Sequence, residues 1–462
     1  MVNLKNETIE QFRRAIRGQV IVPGDAAYEQ ARQIWNGSID RRPAVIARCL
    51  GNADVMAAIS LARELKLPLA VRGGGHNIAG NATCDDGLVI DLSLMRSVRV
   101  DPETKRARVE PGALLGDVDH ECQALGLATP VGINSTTGIA GLTLGGGFGW
   151  LSRKYGMTVD NLVSVEVVTA DSRRVVASER ENADLFWAVR GGGGNFGVVT
   201  MFEFRLHRVG PDILAGLIVF PMAQALSVLK QYREFVKTMP EDLNVWAVLR
   251  NAPPLPFLPE AVHGKGVLIL ALAYLGDVEV GRRAVEPLRR FGEAYGEHIA
   301  PTKYAAWQQA FDPLLAPGAR NYWKSHNLAA LGDETIDAAV GYASALPTDE
   351  CEIALAVLGG AVTRVPVDAT AYGARDAELV VNVHARWQAR GDDGRCIGWA
   401  RETFETVGRH ATGSVYVNFL TAEEGARVGA AYGSNHARLA TIKKRYDPTN
   451  LFRLNQNIQP SG

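Results

Sequence analysis

The sequence is poor in the features that mark several large protein classes. Its five cysteines, Cys49, Cys84, Cys122, Cys351 and Cys396, are odd in number, widely spaced and form no C-x-x-C pair. That argues against a disulfide framework or a thiolate zinc site and leaves buried apolar thiols as the reading. Surplus charge is missing too: 49 Lys+Arg face 50 Asp+Glu, a formal net charge of −1 over 462 residues. No basic field exists to hold a nucleic-acid backbone or an anionic membrane. No apolar run approaches the roughly 18 residues of a membrane span, and the first twenty residues lack the apolar core of a secretory signal. A soluble, cytoplasmic chain is expected. The histidines show no H-x-E-x-H or comparable spacing, so no metal site is expected. Internal repeats and low-complexity tracts are absent.

What is present is a chain that is 47% hydrophobic, enough to bury a sizeable core in two or three domains, with a small molecule as the expected partner. Glycine is abundant, 48 residues, a share above the usual ~7%. The excess sits in three clusters, residues 73–80, 138–149 and 191–197, all in the first part of the chain. Tight turns that need φ > 0 account for one such cluster; three in one region point to close approach of backbone to a ligand. The third cluster contains G-x-G-x-x-G, but a nicotinamide-binding turn must open a helix. Here Val198, Thr200, Phe202, Phe204 and Leu206 alternate with polar residues and continue as a strand. No Walker A loop occurs. Backbone amides of Gly-rich turns form nests that bind pyrophosphate without a dedicated cation, so one large dinucleotide spanning all three clusters is expected.

Periodicity predicts a helix over 53–65, strands at 67–71, 88–92 and 107–110, a helix over 114–125 and a hairpin of 163–169 with 175–177. Past Gly210-Pro211 the glycine clusters stop. Helices at 223–237, 280–291 and 396–410 alternate with strands at 213–220, 243–249, 267–275, 353–358, 379–383 and 415–420, which reads as a second, α+β domain. A last amphipathic helix is expected over about 423–445, followed by a polar, Asn-rich tail.

The segments Arg72-Gly73-Gly74-Gly75-His76-Asn77, Gly138-Ile139-Ala140-Gly141 through Gly145-Gly146-Gly147-Phe148-Gly149, Asp184-Leu185-Phe186-Trp187-Ala188-Val189-Arg190 running into the third cluster, and Tyr446-Asp447-Pro448-Thr449-Asn450-Leu451-Phe452-Arg453-Leu454-Asn455-Gln456-Asn457 together resemble the FAD-linked oxidases of the vanillyl-alcohol-oxidase superfamily. Within it they are similar to the berberine-bridge-enzyme-like branch, which includes 6-hydroxynicotine oxidase, oligosaccharide oxidases and bacterial polyketide-tailoring oxidases such as the enterocin favorskiiase. The resemblance implies an α+β protein: a PCMH-type FAD-binding domain of two α/β subdomains (1–208), an inserted substrate domain of antiparallel sheet covered by helices (209–431), and a C-terminal segment (432–462) returning to the FAD domain. It implies FAD as cofactor, with Arg72, Gly73, Gly74, Gly75, Asn77, Gly80, Ser135, Thr136, Thr137, Gly138, Gly141, Leu142, Gly146, Gly147, Gly194, Asn195, Gly197, Val198, Val199, Asn455 and Asn457 as binding residues, and a covalent bond from a ring nitrogen of His76 to the flavin C8 methyl. Some relatives attach the flavin a second time, through a Cys four residues before the second cluster. That place is Asn134 here, so attachment through His76 alone is expected. Thr137 matches the position that lines the approach of oxygen and is small, which favours an oxidase acting with O2. A monomer or homodimer is expected from the resemblance.

For the proton that leaves a substrate heteroatom, period-2 geometry places Tyr416 and Asn418 on one face of the expected 415–420 strand, and Tyr416 is the first candidate base. Glu352 shares a face with Ala354, where relatives carry an acid. It is either a second base or a solvated charge at a strand end. His384 reads as structural and Lys324 as a surface cation. The function expected is oxidation of an alcohol or amine carbon of a small or secondary-metabolite substrate. A dehydrogenase with another acceptor, a sugar oxidase and a non-catalytic flavin- or ligand-binding protein are the alternatives.

Overall fold

The computed structural model describes residues 4–462. Three sheets of four or more strands organise it, beside a two-stranded pairing of Leu127–Ala128 with His207–Arg208. The first has four strands in the order Gln19–Ile21, Val45–Arg48, Leu88–Asp91, Leu69–Arg72, with Leu88–Asp91 parallel to both its neighbours. Val45, Ile46, Leu88, Val89 and Ile90 are fully buried, as expected of parallel strands covered on both faces. The helix Asn52–Glu64 supplies one cover, packing Val55, Ala58, Ile59 and Ala62 onto the sheet.

The second sheet is antiparallel, in the order Val98–Asp101, Arg106–Val109, Val198–Arg205, Leu162–Val168, Arg174–Ser178. The segment after the third glycine cluster is therefore its central strand. The C-terminal helix His436–Tyr446 lies against the helix Ala183–Val189, and its Leu439, Ile442 and Tyr446 join the same core as Phe186, Phe202 and Phe204.

The third sheet has seven antiparallel strands, in the order Gly296–Lys303, Asp212–Pro221, Gly266–Tyr274, Leu243–Asn251, Glu352–Val357, Leu379–Trp387, Arg320–Leu328. Alternation splits its residues. Leu268, Leu270 and Leu272 join the core shared with the helices Ala225–Val236, Asp333–Ala343 and Asp393–Val407, while Ile269 and Ala271 face a cavity on the other side. All five cysteines are buried and unpaired. Among the described residues no helix is long and apolar enough to cross a membrane.

Several expectations need correction. The 415–420 segment is not a strand: Val417–Phe419 is a 3-10 turn. The helix expected over 423–445 is broken into a 3-10 segment Ala422–Arg427, a short helix Val428–Tyr432, a 3-10 turn Gly433–Asn435 and the helix His436–Tyr446, interrupted at Gly433, whose φ is +51°. The strand expected at 379–383 continues to Trp387, which puts His384 in its middle. The strands Gly296–Lys303 and Arg320–Leu328 and the helix Asp333–Ala343 carry no clear sequence signal.

Candidate active site

A cavity of about 830 Å³ runs from the glycine clusters to the open face of the seven-stranded sheet. Its glycine end is closely built. Gly74 and Gly138 meet backbone to backbone, and a Cβ on either would collide with the other's main chain. Gly75 adopts φ +71°. Among the described residues, the backbone N–H groups of Gly74, Gly75, His76 and Asn77 meet no acceptor. Four successive free amides beside a cavity form an anion nest, and the buried Asn455 Oδ1 and Tyr432 Oη in the same wall are also without partners. These residues fit a pyrophosphate-bearing dinucleotide such as FAD.

His76 sits on the wall of this cavity. Its Nε2 lies 3.1 Å from Thr136 Oγ1, and Trp35 stacks on its ring at 4.9 Å with a 21° interplanar angle. Burial lowers its pKa to about 4, a hydrogen bond with the Thr136 backbone acting the other way. The imidazole is therefore neutral at pH 7 and keeps a lone pair.

Of the other expected cofactor residues, Gly73, Thr137, Gly138, Gly141, Leu142, Gly194, Gly197, Val198, Val199 and Asn455 line the cavity. The rest hold up its walls. Arg72 pairs with the buried Asp91 at 2.6 Å. Gly80, at φ +76°, packs on Ile39. Ser135 donates its N–H (2.9 Å) and its hydroxyl to Asp312, and Thr136 binds His76. Gly146 abuts Tyr372, and the Gly147 N–H donates to Tyr416 Oη. Asn457 Oδ1 is buried without a partner. Asn195 departs most from expectation. Its amide donates to Gly192 O (2.9 Å) and Gln456 O (3.1 Å), and its Oδ1 accepts from the Ile458 N–H (3.0 Å). Its carbonyl accepts from Lys443 Nζ (2.7 Å), whose other hydrogens go to Asp447 Oδ2 (2.7 Å) and Phe452 O (2.9 Å). Asn195 is thus part of a clasp that ties the third glycine cluster to the C-terminal segment, not a contact of the cavity.

At the sheet end, Tyr416 and Asn418 come together through the turn rather than across a pleat. Asn418 Nδ2 donates to Tyr416 Oη at 2.9 Å, and the Gly147 N–H donates to the same oxygen at 3.1 Å. Burial raises the Tyr416 pKa to about 12, with these two donors pulling it down. Glu352 is not a solvated strand-end charge. Its Oε2 accepts from Arg250 Nη1 at 2.7 Å, and its Oε1 lies 3.3 Å from His384 Nδ1. Desolvation acts upward on it, but Arg250 and then His384 outweigh it and hold its pKa at about 2. With both oxygens engaged it is a poor base.

Strand register puts Arg250, Glu352, His384 and Trp323 on one line across the sheet, and Val248, Ala354, Asn382 and Ser325 on the next. Arg250, His384 and Trp323 are cavity residues that sequence reasoning misses. His384 is buried and also reaches Asn321 Oδ1 at 3.2 Å. Lys324, expected on the surface, is buried and pairs with Glu423 (3.1 Å) and Glu424 (3.2 Å). The remaining cavity wall is apolar, with Phe148, Trp246, Trp307 and Phe311 the largest rings and the Pro253 to Phe257 loop at one side.

Comparison with known proteins agrees with this architecture. A family model described as FAD binding domain matches residues 43–178, and one described as Berberine and berberine like matches residues 415–459. The chain belongs to the berberine-bridge-enzyme-like family of FAD-linked oxidoreductases and is an enzyme. It is 32% identical over 461 residues to an FAD-linked oxidoreductase of Dictyostelium discoideum, covering 98% of this chain and 97% of that one. To (R)-6-hydroxynicotine oxidase of Paenarthrobacter nicotinovorans it is 31% identical over 465 residues, with 97% and 98% covered. The crystal structure of 6-hydroxy-D-nicotine oxidase from Arthrobacter nicotinovorans matches with a TM-score of 0.87 at 29% identity, over 99% of this chain and all (100%) of that one.

Proposed function

We propose that the protein is an oxidase that takes a hydride and a proton from an alcohol or amine carbon of a small, largely apolar substrate, with O2 as the terminal acceptor and hydrogen peroxide as product. The observation that carries this reading is the continuity of one cavity from the free amides at residues 74–77, past His76, to the Tyr416 hydroxyl. FAD, when bound, supplies the acceptor for the substrate's hydride and the route of its electrons to oxygen.

The chain's own residues have separable tasks. The amides of Gly74, Gly75, His76 and Asn77 hold the pyrophosphate, and the loops at 138 and 194–199 close on the remainder. His76, neutral and carrying a lone pair, forms the single covalent attachment. Tyr416 accepts the proton of the substrate heteroatom at Oη. The Asn418 amide and the Gly147 N–H, both aimed at that oxygen, stabilise the negative charge it must carry to do so. Glu352 fixes Arg250 and His384 instead of acting as a second base. Thr137, small and on the cavity wall, leaves oxygen a path. Phe148, Trp246, Trp307 and Phe311 exclude water and favour a ring-bearing apolar alcohol over an oligosaccharide, which needs many polar partners. In this reading residues 1–208 and 432–462 form the cofactor domain and 209–431 the substrate domain.

The test is direct. The purified protein is expected to be yellow, to keep its flavin on the polypeptide after acid precipitation, and to bleach anaerobically with a member of an alcohol and amine panel. His76→Ala is expected to bind FAD that acid releases. A colourless protein, or acid-stable flavin in His76→Ala, overturns the corresponding part.

A further inference from the structure

The loop that faces His76 determines which of its ring nitrogens carries hydrogen. The Thr136 backbone N–H lies 3.0 Å from the Asn134 side chain. A backbone N–H only donates, so the facing atom is the amide oxygen, Oδ1. The Thr136 hydroxyl lies 2.7 Å from that same Oδ1, and since an amide oxygen only accepts, the hydroxyl hydrogen is committed there. Toward His76 Nε2, at 3.1 Å, the hydroxyl then offers only a lone pair. The ring nitrogen opposite must be the one bearing hydrogen, so Nε2 carries it and Nδ1 bears the lone pair.

The loop is held so that this chain of bonds persists. Asp312 accepts both the N–H and the hydroxyl of Ser135, Gln308 Nε2 donates to Gly132 O at 3.0 Å, and Trp35 fixes the plane of the imidazole from its face. We propose that Asn134 and Thr136 are positioning residues for cofactor attachment: they lock His76 as the Nε2–H tautomer and present Nδ1 as the bond-forming atom. This rests on the reading that His76 is joined to FAD. In that step a C8α–H bond breaks and its proton goes to solvent. The Nδ1 lone pair forms the new bond to C8α, and the electron pair of the broken bond is left on the flavin, which is thereby reduced by two electrons. Dioxygen takes that pair with two protons from solvent, giving hydrogen peroxide and restoring the oxidised flavin. The hydrogen stays on Nε2 throughout, donated to Thr136 Oγ1.

Four variants in the full chain, refolded or expressed without flavin and then supplied with FAD, test this. Asn134→Asp and Thr136→Ser keep the acceptor atoms and are expected to incorporate acid-stable flavin within about twofold of the parent rate. Asn134→Leu frees the hydroxyl to donate to Nε2, and Thr136→Val removes the acceptor. Both are expected to be about tenfold slower, in line with the loss of one hydrogen bond to a buried polar group. NMR of the isolated flavin peptide is expected to place the bond at Nδ1. A bond at Nε2, or undiminished rates in both Asn134→Leu and Thr136→Val, overturns the proposal. If the parent holds FAD without a covalent bond, the attachment reading fails. The relay is then judged by 15N shifts of the His76 ring in the same protein: an Nε2–H pattern supports it, and an Nδ1–H or imidazolium pattern refutes it. The same measurement on the parent decides the matter if the two disruptive variants fail to fold.

Discussion

Replacing Asn418 by Leu removes one of the two donors that converge on the Tyr416 oxygen. Burial drives the Tyr416 pKa up to about 12, and Asn418, at 2.9 Å, is the larger of the two hydrogen bonds that oppose it. A hydrogen bond to a charged acceptor contributes ~1.5 kcal/mol, about one pKa unit. At about pH 8, the ionised fraction of the phenol then falls from about one in ten thousand to about one in a hundred thousand, and flavin reduction by substrate slows about tenfold. In the parent the rate climbs with pH toward the ionisation of Tyr416, and the variant's curve lies about one unit higher on the pH axis. Asn418→Asp shifts it further in the same direction, because a carboxylate accepts where the amide donates. Anaerobic stopped-flow bleaching between about pH 7 and about pH 10 measures this profile. The reasoning is refuted if Asn418→Leu keeps the parent's rate and profile, or if Tyr416→Phe is reduced as fast as the parent.

Other consequences are equally open to measurement. Lys443→Met leaves the buried Asp447 carboxylate uncompensated, so unfolding free energy is expected to drop by about 3–5 kcal/mol, read by urea titration of the holoprotein. Thr137→Leu narrows the cavity wall where oxygen is proposed to pass; it is expected to slow reoxidation of the reduced flavin by O2 while sparing its reduction by substrate, and equal effects on both half-reactions would count against it. Asp119, buried with Gln308 Nε2 as its donor at 3.1 Å, has a pKa raised to about 7 by desolvation. The folded state thus binds a proton that the unfolded state has released, and stability falls as pH rises between about 4 and about 7. Asp119→Asn is expected to be more stable than the parent at about pH 8, by on the order of a few kcal/mol, with the gap closing near about pH 4. Thermal unfolding at the two pH values checks the sign.

What can be read from the sequence is what local chemistry dictates. Clustered glycines announce backbone in close quarters, and Gly74 against Gly138 is such a contact. Alternation announces Val198–Arg205 as a strand, which removes the nicotinamide reading of the third cluster. The same alternation misleads at Tyr416 and Asn418, where a 3-10 turn and an amide-to-phenol hydrogen bond bring the side chains together without any pleat. Arg320–Leu328 escapes notice because Asn321, Lys324, Ser325, His326 and Asn327 are buried polar residues, so no apolar rhythm marks it. Arg250, Glu352 and His384 become a unit only through the register of three strands, and no spacing along the chain records that register. The role of Asn195 is hidden for a related reason: apart from Gly192, its partners Lys443, Gln456 and Ile458 lie far along the chain, in the C-terminal segment.

That separation bears on how the molecule folds. The hydrogen bond from Lys443 to Asn195 closes a loop of 248 residues, and everything in the seven-stranded sheet lies inside it. Bringing such distant segments together while the intervening chain is still a coil has an entropic cost that early collapse of the interior segment lowers. The inserted sheet is thus placed to condense first and hand its ends to the clasp. In refolding experiments, capture of the yellow chromophore is expected as the last kinetic phase, trailing the recovery of sheet structure.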